Sequence, residues 1–256
     1  IELPSIRNAE TQSISDIIKW DDQTLWLASP AGLRKLTYRV EPDGSPEFQY
    51  QYTCKTKTGF WPSRLIQIND STVFVRGRTN TTTFATFNVH SREFQYHQLA
   101  DSLLINQVDL LHNDTMLLCI RNKGIYLYAL ASSSLNLVPW KFEDSTMTVE
   151  KPVFLDITRL QNDHYAISTE NYGLILYDHQ RHHFELIPTG TVANTNIVYD
   201  VNEDAKHNLW IQTSNQLLHF ETNTGIISKC NLANAFKGQH PAYFMREGKE
   251  LFATFE

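Results

Sequence analysis

The chain has 256 residues, 41% of them hydrophobic and 20% charged, which is enough to bury a core and too apolar for wholesale disorder. A formal net charge of −6 without any Lys/Arg cluster argues against a nucleic-acid surface. Cys54, Cys119 and Cys230 are an odd set that excludes full intrachain pairing, no CxxC motif occurs, and no apolar run approaches the ~18–20 residues of a membrane span.

Taken in chain order, one element recurs: an acidic or amide turn followed by a short apolar strand. It reads WDDQTLWLAS at 20–29, INDSTVFVRG at 68–77, HNDTMLLCIR at 112–121, QNDHYAIST at 161–169, NEDAKHNLWIQT at 202–213 and MREGKELFAT at 245–254. The equivalent apolar residues are Trp26, Phe74, Leu118, Ala166, Trp210 and Phe252, spaced by 48, 44, 48, 44 and 42. A period of about 45 is what four strands and their turns require in one propeller blade. A β-rich segment precedes each turn, a third strand follows it, and a weaker fourth strand follows in most copies, including LNLVPWKF at 135–142. No long amphipathic helix is legible; a helical turn is expected over 101–108.

The pattern predicts an all-β fold, a β-propeller of about six four-stranded blades. They run approximately over 13–55, 62–99, 105–145, 153–191, 196–232 and 241–256, with 1–12 completing the last blade and leaving no free sheet edge. The alternative is a fragment of a seven-bladed propeller. Beginning at Ile1, the chain reads as a processed protein or an excised domain. Trp26, Phe74 and Trp210 are expected to press on neighbouring blades. Asp22, Asp70, Asp114 and Asp163 are expected to accept backbone N–H groups in the turns between first and second strands.

The best-formed copy is VYDVNEDAKHNLWIQTSNQLLHF at 198–220. Its Glu203-Asp204, its Asn208-Leu209-Trp210-Ile211-Gln212-Thr213 and its Leu217 through Phe220 resemble the two-component regulator propeller repeat. That repeat has Glu-Asp, a glycine turn, Asn-Leu-Trp-Ile-Gly-Thr, then Gly-Leu and an aromatic residue. His207 stands at the family's turn glycine, Gln212 replaces the glycine after Ile, and Asn215-Gln216 replaces the Gly-Gly turn. Leu25-Trp26-Leu27-Ala28-Ser29 and Ala31-Gly32-Leu33 form a second recognisable copy, and four others keep only spacing and apolar character. The resemblance implies a sensor domain on the periplasmic or extracytoplasmic side of a bacterial inner-membrane signalling protein. It also implies a histidine kinase or diguanylate cyclase output outside this chain, a homodimeric full-length protein, and carbohydrate ligands in some members.

HExxH, G-x-S-x-G, P-loop and GxGxxG motifs are absent from the sequence, so the common motif-readable enzymes gain no support. A sialidase-type Asp box is matched only loosely over 204–210, without its serine and glycine. His179, His182 and His183 read as a solvated turn between third and fourth strands rather than metal ligands. Asn80-Thr81-Thr82 fits a glycosylation sequon, which matters only in a eukaryotic secretory setting. The expected domain is therefore non-catalytic, with no metal and no cofactor. Its partner is expected to be a small molecule, such as a carbohydrate, or a protein.

Loops leading into first strands and turns joining second to third strands share one face of a propeller. The lead-in loops offer Trp61, Arg64, Asn106, Gln107, Asn196, His240 and Tyr243; the turns offer Arg121, Asn122, Glu170, Asn171, Tyr172 and Asn215. Aromatic rings interleaved with amides and arginines suit a sugar or another polar small molecule. The expected ligand set is Trp61, Arg64, Gln107, Arg121, Asn122, Asn171, Tyr172, Asn196, Asn215 and Tyr243. Two rival readings stand beside a sensor: a protein-interaction scaffold using the same face, and a propeller glycosidase or lyase whose paired carboxylates come from different blades.

Overall fold

A computed structural model describes residues 13–78, 81–112, 114–142, 149–187, 189, 197–213, 216–230, 241–247 and 250–255, the last two segments by their backbone. Among the described residues every regular element is a strand, apart from a three-residue 3-10 turn at Gln161–Asp163. The first sheet is β1 (Asp16–Lys19), β2 (Thr24–Ser29), β3 (Gly32–Val40) and β4 (Pro46–Cys54). The second is β5 (Arg64–Asn69), β6 (Thr72–Arg76), β7 (Thr83–Asn88) and β8 (Glu93–Gln98). The third is β9 (Ile105–His112), β10 (Thr115–Ile120), β11 (Gly124–Ala129) and β12 (Ser134–Leu137). The fourth is β13 (Phe154–Arg159), β14 (His164–Thr169), β15 (Leu174–Asp178) and β16 (His183–Ile187). The fifth is β17 (Val198–Glu203), β18 (Leu209–Thr213), β19 (Leu217–Glu221) and β20 (Ile226–Lys229), followed by a hairpin of β21 (Pro241–Glu247) and β22 (Glu250–Phe255).

Each four-stranded sheet is an antiparallel meander in sequence order, the topology of a propeller blade. The described residues thus form five such sheets and a two-stranded hairpin, not six complete blades. The expected closing strand at 1–12 lies outside the described residues. The expected helical turn over 101–108 is instead a short turn leading into β9.

The chain divides into two compact units. One holds the first two sheets; the other holds the third, fourth and fifth sheets and the hairpin. In the first unit Trp26, Ala28, Leu33, Val73, Val75, Ala85 and Phe87 form a shared core. Trp26 meets Phe87 and Tyr52 edge-on, with ring centroids 5.2 and 6.0 Å apart. Asp16 Oδ2 accepts the Leu65 N–H at 2.7 Å, joining β1 to β5. In the second unit the fourth sheet is buried on both faces. Tyr165 and Ile167 of β14 belong to the core with the third sheet, whereas Ala166 between them belongs to the core with the fifth. Two-residue alternation along one strand thus supplies two cores.

Four expectations about individual residues need correction. Trp210, unlike Trp26 and Phe74, is only half-buried and rests on His219 at a centroid distance of 4.7 Å; Leu209 and Ile211 carry the burial in β18. In the turns between first and second strands, the accepting residue stands one position before the expected aspartate. The Gln23 N–H donates to Asp21 Oδ1 at 2.8 Å and the Ser71 N–H to Asn69 Oδ1 at 2.9 Å. The side chain must lie two residues before its donor, so Asp22 points outward to Lys19 Nζ at 2.9 Å. Asp163 likewise pairs with Arg159 at 2.7 Å. The expected fourth strand at 135–142 stops at Leu137. Pro139 cannot donate to a ladder, and Phe142 instead forms a parallel bridge to Phe184 of the fourth sheet.

The best-formed copy keeps its turn chemistry. His207, at the family's glycine position, has φ +66°. Asp204 Oδ1 accepts the N–H groups of Lys206 and Asn208 at 2.7 and 3.0 Å. Burial pushes the Asp204 carboxyl up, but these donors outweigh it and hold the group below its ordinary range.

Candidate functional site

The site grows from the close approach of two turns in the first unit. Gly32 opens β3 at φ +126°, and a β-carbon there would collide with the carbonyl oxygen of Cys54. Only glycine lets the Pro30-Ala31 turn lie this close to the end of β4. Ser29 closes the turn by donating its hydroxyl to the Gly32 carbonyl at 3.0 Å.

The lead-in loop to β5 is built as a self-contained turn. Thr56 Oγ1 donates to the Phe60 carbonyl at 2.8 Å, and the Phe60 N–H donates to the Lys57 carbonyl at 3.1 Å. The Lys57 N–H donates to the Tyr96 hydroxyl at 2.7 Å. Phe60 is buried and packs edge-on against Tyr96 at 5.3 Å. Gly59 takes the left-handed conformation at φ +82°. With Phe60 anchored inward, its neighbour Trp61 projects outward, 46% exposed, with the Arg78 guanidinium 4.9 Å from its ring centre.

Between these two turns lies a cleft of about 610 Å³, lined by Ser13, Pro30, Ala31 and the run Lys55, Thr56, Lys57, Thr58, Gly59, Phe60 and Trp61. That volume suits a small molecule. Lys55 and Lys57 are exposed, and Lys57 Nζ also lies 4.4 Å from the Tyr96 ring centre. Among the described residues no acidic side chain lines the cleft. A second cleft, of about 760 Å³, runs along the outer hairpin of the same sheet, past Tyr38, Arg39, Glu47 and Tyr50. There Arg39 is already paired with Glu41 at 2.6 Å and Glu47 at 2.5 Å, so its charge is neutralised within the protein.

The expected ligand residues are not gathered in one place. Trp61 lines the cleft, and Arg64 starts β5 three residues beyond it. In the second unit four expected residues brace loops. The Asn122 N–H, at a residue with φ +58°, donates to the Pro152 carbonyl at 2.9 Å. Asn171 contacts the same segment through the Val153 N–H and the Lys151 carbonyl, both at 3.4 Å. The Tyr172 hydroxyl accepts from the Glu150 N–H at 2.8 Å and donates to the Glu150 carbonyl at 2.7 Å. Gln107 Nε2 donates to the Leu155 carbonyl. Arg121 is half-buried at the end of the β10 turn, and Asn106 is buried in β9. Tyr243 lies on β21, opposite Thr254. Asn196, Asn215 and His240 lie outside the described residues.

Sequence reading missed Lys55, Lys57 and Arg78. The alternation Lys-Thr-Lys-Thr-Gly-Phe-Trp, a polar turn ending in two aromatics, was the available signal. Among the described residues no cluster of three or more His, Cys, Asp or Glu side chains could hold a metal ion. His179 and His182 instead flank the Tyr177 hydroxyl at 3.2 and 3.4 Å.

No protein-family model matches the sequence, and no curated protein matches it. Solved structures do. One is described as the extracellular domain of a hybrid two-component system, BT4673 of B. thetaiotaomicron, elsewhere described as a one-component system. It shares 20% identity and a TM-score of 0.68, over 97% of this chain and 31% of that one. The extracellular domain of a second hybrid system, BT3049 of the same organism, shares 12% identity and a TM-score of 0.60, over 97% and 34%. A Bacteroides thetaiotaomicron protein of unknown function shares 13% identity and a TM-score of 0.51, over 83% and 56%. The chain thus spans about a third of the length of the first two structures. What is shared at these identities is the fold, and it agrees with the two-component regulator propeller resemblance carried by Glu203 through Phe220.

Proposed function

We propose that this chain is a non-catalytic sensor domain on the extracytoplasmic side of a bacterial membrane signalling protein, with the Lys55–Trp61 cleft as its recognition point. The observation that carries this reading is the fold shared over 97% of the chain with the extracellular domain of a two-component system. The domain would sit in the periplasm, anchored through the inner membrane by segments outside this chain. A histidine kinase or diguanylate cyclase output would lie on the other side. Residues 1–12 would complete a sixth blade, and the full-length protein would act as a dimer. A ligand in the cleft signals only if it favours one state of that dimer over another.

Two measurements test the proposal. The complete gene is expected to encode a membrane span and a cytoplasmic output domain. Protease added to spheroplasts is expected to cleave this domain while sparing the output. A product found free in the cytoplasm, beyond reach of the protease, contradicts the proposal.

A further inference from the structure

We infer that the cleft of the first unit takes a small acidic ligand with a ring body, its carboxylate or sulfate on the lysines and its ring against Trp61. This rests on the cleft being the recognition point. The chain carries 28 acidic and 22 basic side chains, so a randomly chosen surface depression is lined by carboxylates more often than by lysines. Among the described residues this one is lined by Lys55 and Lys57 and by no carboxylate, and Arg78 stacks on its Trp61. Several basic side chains elsewhere find acidic partners, Lys19 with Asp22, Arg39 with Glu41 and Glu47, and Arg159 with Asp163. Among the described residues, Lys55, Lys57 and Arg78 have none.

Folding of the loop does not require these charges. Its turn is closed by Thr56, Phe60, the Lys57 backbone and Tyr96. Lys55 and Lys57 stand two residues apart on one preformed turn, where like charges repel, and an anion relieves that repulsion without reorganising the loop. Trp61 adds a flat apolar surface, with Arg78 over its ring and nearly half the residue still exposed. A neutral sugar would use the indole alone; an acidic one uses both features.

The test is calorimetric titration of the protein with trigalacturonate, a sulfated disaccharide and benzoate, against a neutral galactose trisaccharide. At least one acidic probe is expected to bind at least about ten-fold more tightly than the neutral sugar, with affinity falling between about 50 and about 500 mM NaCl. Lys55→Gln with Lys57→Gln should weaken that probe about ten-fold while lowering the melting temperature by no more than a few degrees, because both side chains are exposed and only the Lys57 contact with the Tyr96 ring is lost. Trp61→Ala should weaken acidic and neutral probes alike. Equal binding of neutral and acidic probes, binding indifferent to the lysine substitutions, or no binding of any acidic probe overturns the inference. An acidic ligand that binds through the lysines yet leaves the output of the full-length protein unchanged upholds it and overturns the sensor reading instead.

Discussion

Gly32 and the carbonyl of Cys54 lie closer together than any side-chain-bearing residue at position 32 would allow. This approach sets one wall of the cleft against the other. Gly32→Ala should therefore cost about 2–4 kcal/mol, combining strain at φ +126° with overlap on backbone. Gly44→Ala is the matched control, with φ +82° and nothing within 4 Å of the added carbon, and should cost about 1 kcal/mol. Urea denaturation of the two variants checks the difference.

Trp26 and Trp210 occupy equivalent places in the repeat but not equivalent environments. Trp26 is 1% exposed and meets two further rings, whereas Trp210 is half-buried beside His219. Trp26→Ala should cost about 3–5 kcal/mol through the cavity it leaves. Trp210→Ala should cost no more than about 2 kcal/mol, because less area leaves water on folding. Denaturation midpoints of the two variants decide this, and equal losses would contradict the packing described.

His97 stacks on Phe84 at 4.8 Å with the rings 6° from parallel, and Phe84 stacks on Phe74. Burial pushes the imidazole pKa down. The folded state therefore binds this proton less readily than the unfolded chain. The stability it contributes is intact above about pH 6.5 and is lost as pH falls through the lower folded value. Stability measured between about pH 7 and pH 5 should fall with acid, and His97→Phe should flatten that slope.

Tyr172 clamps the segment that leads into β13 through two hydrogen bonds to Glu150. Tyr172→Phe removes both and should cost about 1–2 kcal/mol. Hydrogen exchange at the Glu150 amide should accelerate while exchange in β14 and β15 stays slow.

Local chemistry made much of the fold legible. Alternating apolar residues and polar turns located the strands. At the family's turn-glycine position His207 takes φ +66°, the backbone a glycine adopts readily. What depended on contacts across sheets was not legible. Whether Trp210 is buried depends on what faces it, and Pro139 marks only that a strand ends, not that Phe142 then reaches Phe184. The site divides in the same way. Loop position pointed to Trp61 and Tyr172 alike, but only the fold shows Tyr172 bonded to Glu150 and Trp61 open to the cleft. The lysines were missed because their significance is that no carboxylate lies beside them among the described residues, a property of space rather than of sequence.

The claim that the Lys55–Trp61 cleft reads the signal is tested most directly by filling it in the full-length protein. Ala31, half-exposed on the cleft wall, is the position to enlarge. Ala31→Trp should leave the melting temperature of the domain within a few degrees of the parent and abolish inducible output. A full-length protein that carries Ala31→Trp and still responds normally to inducer would contradict the account.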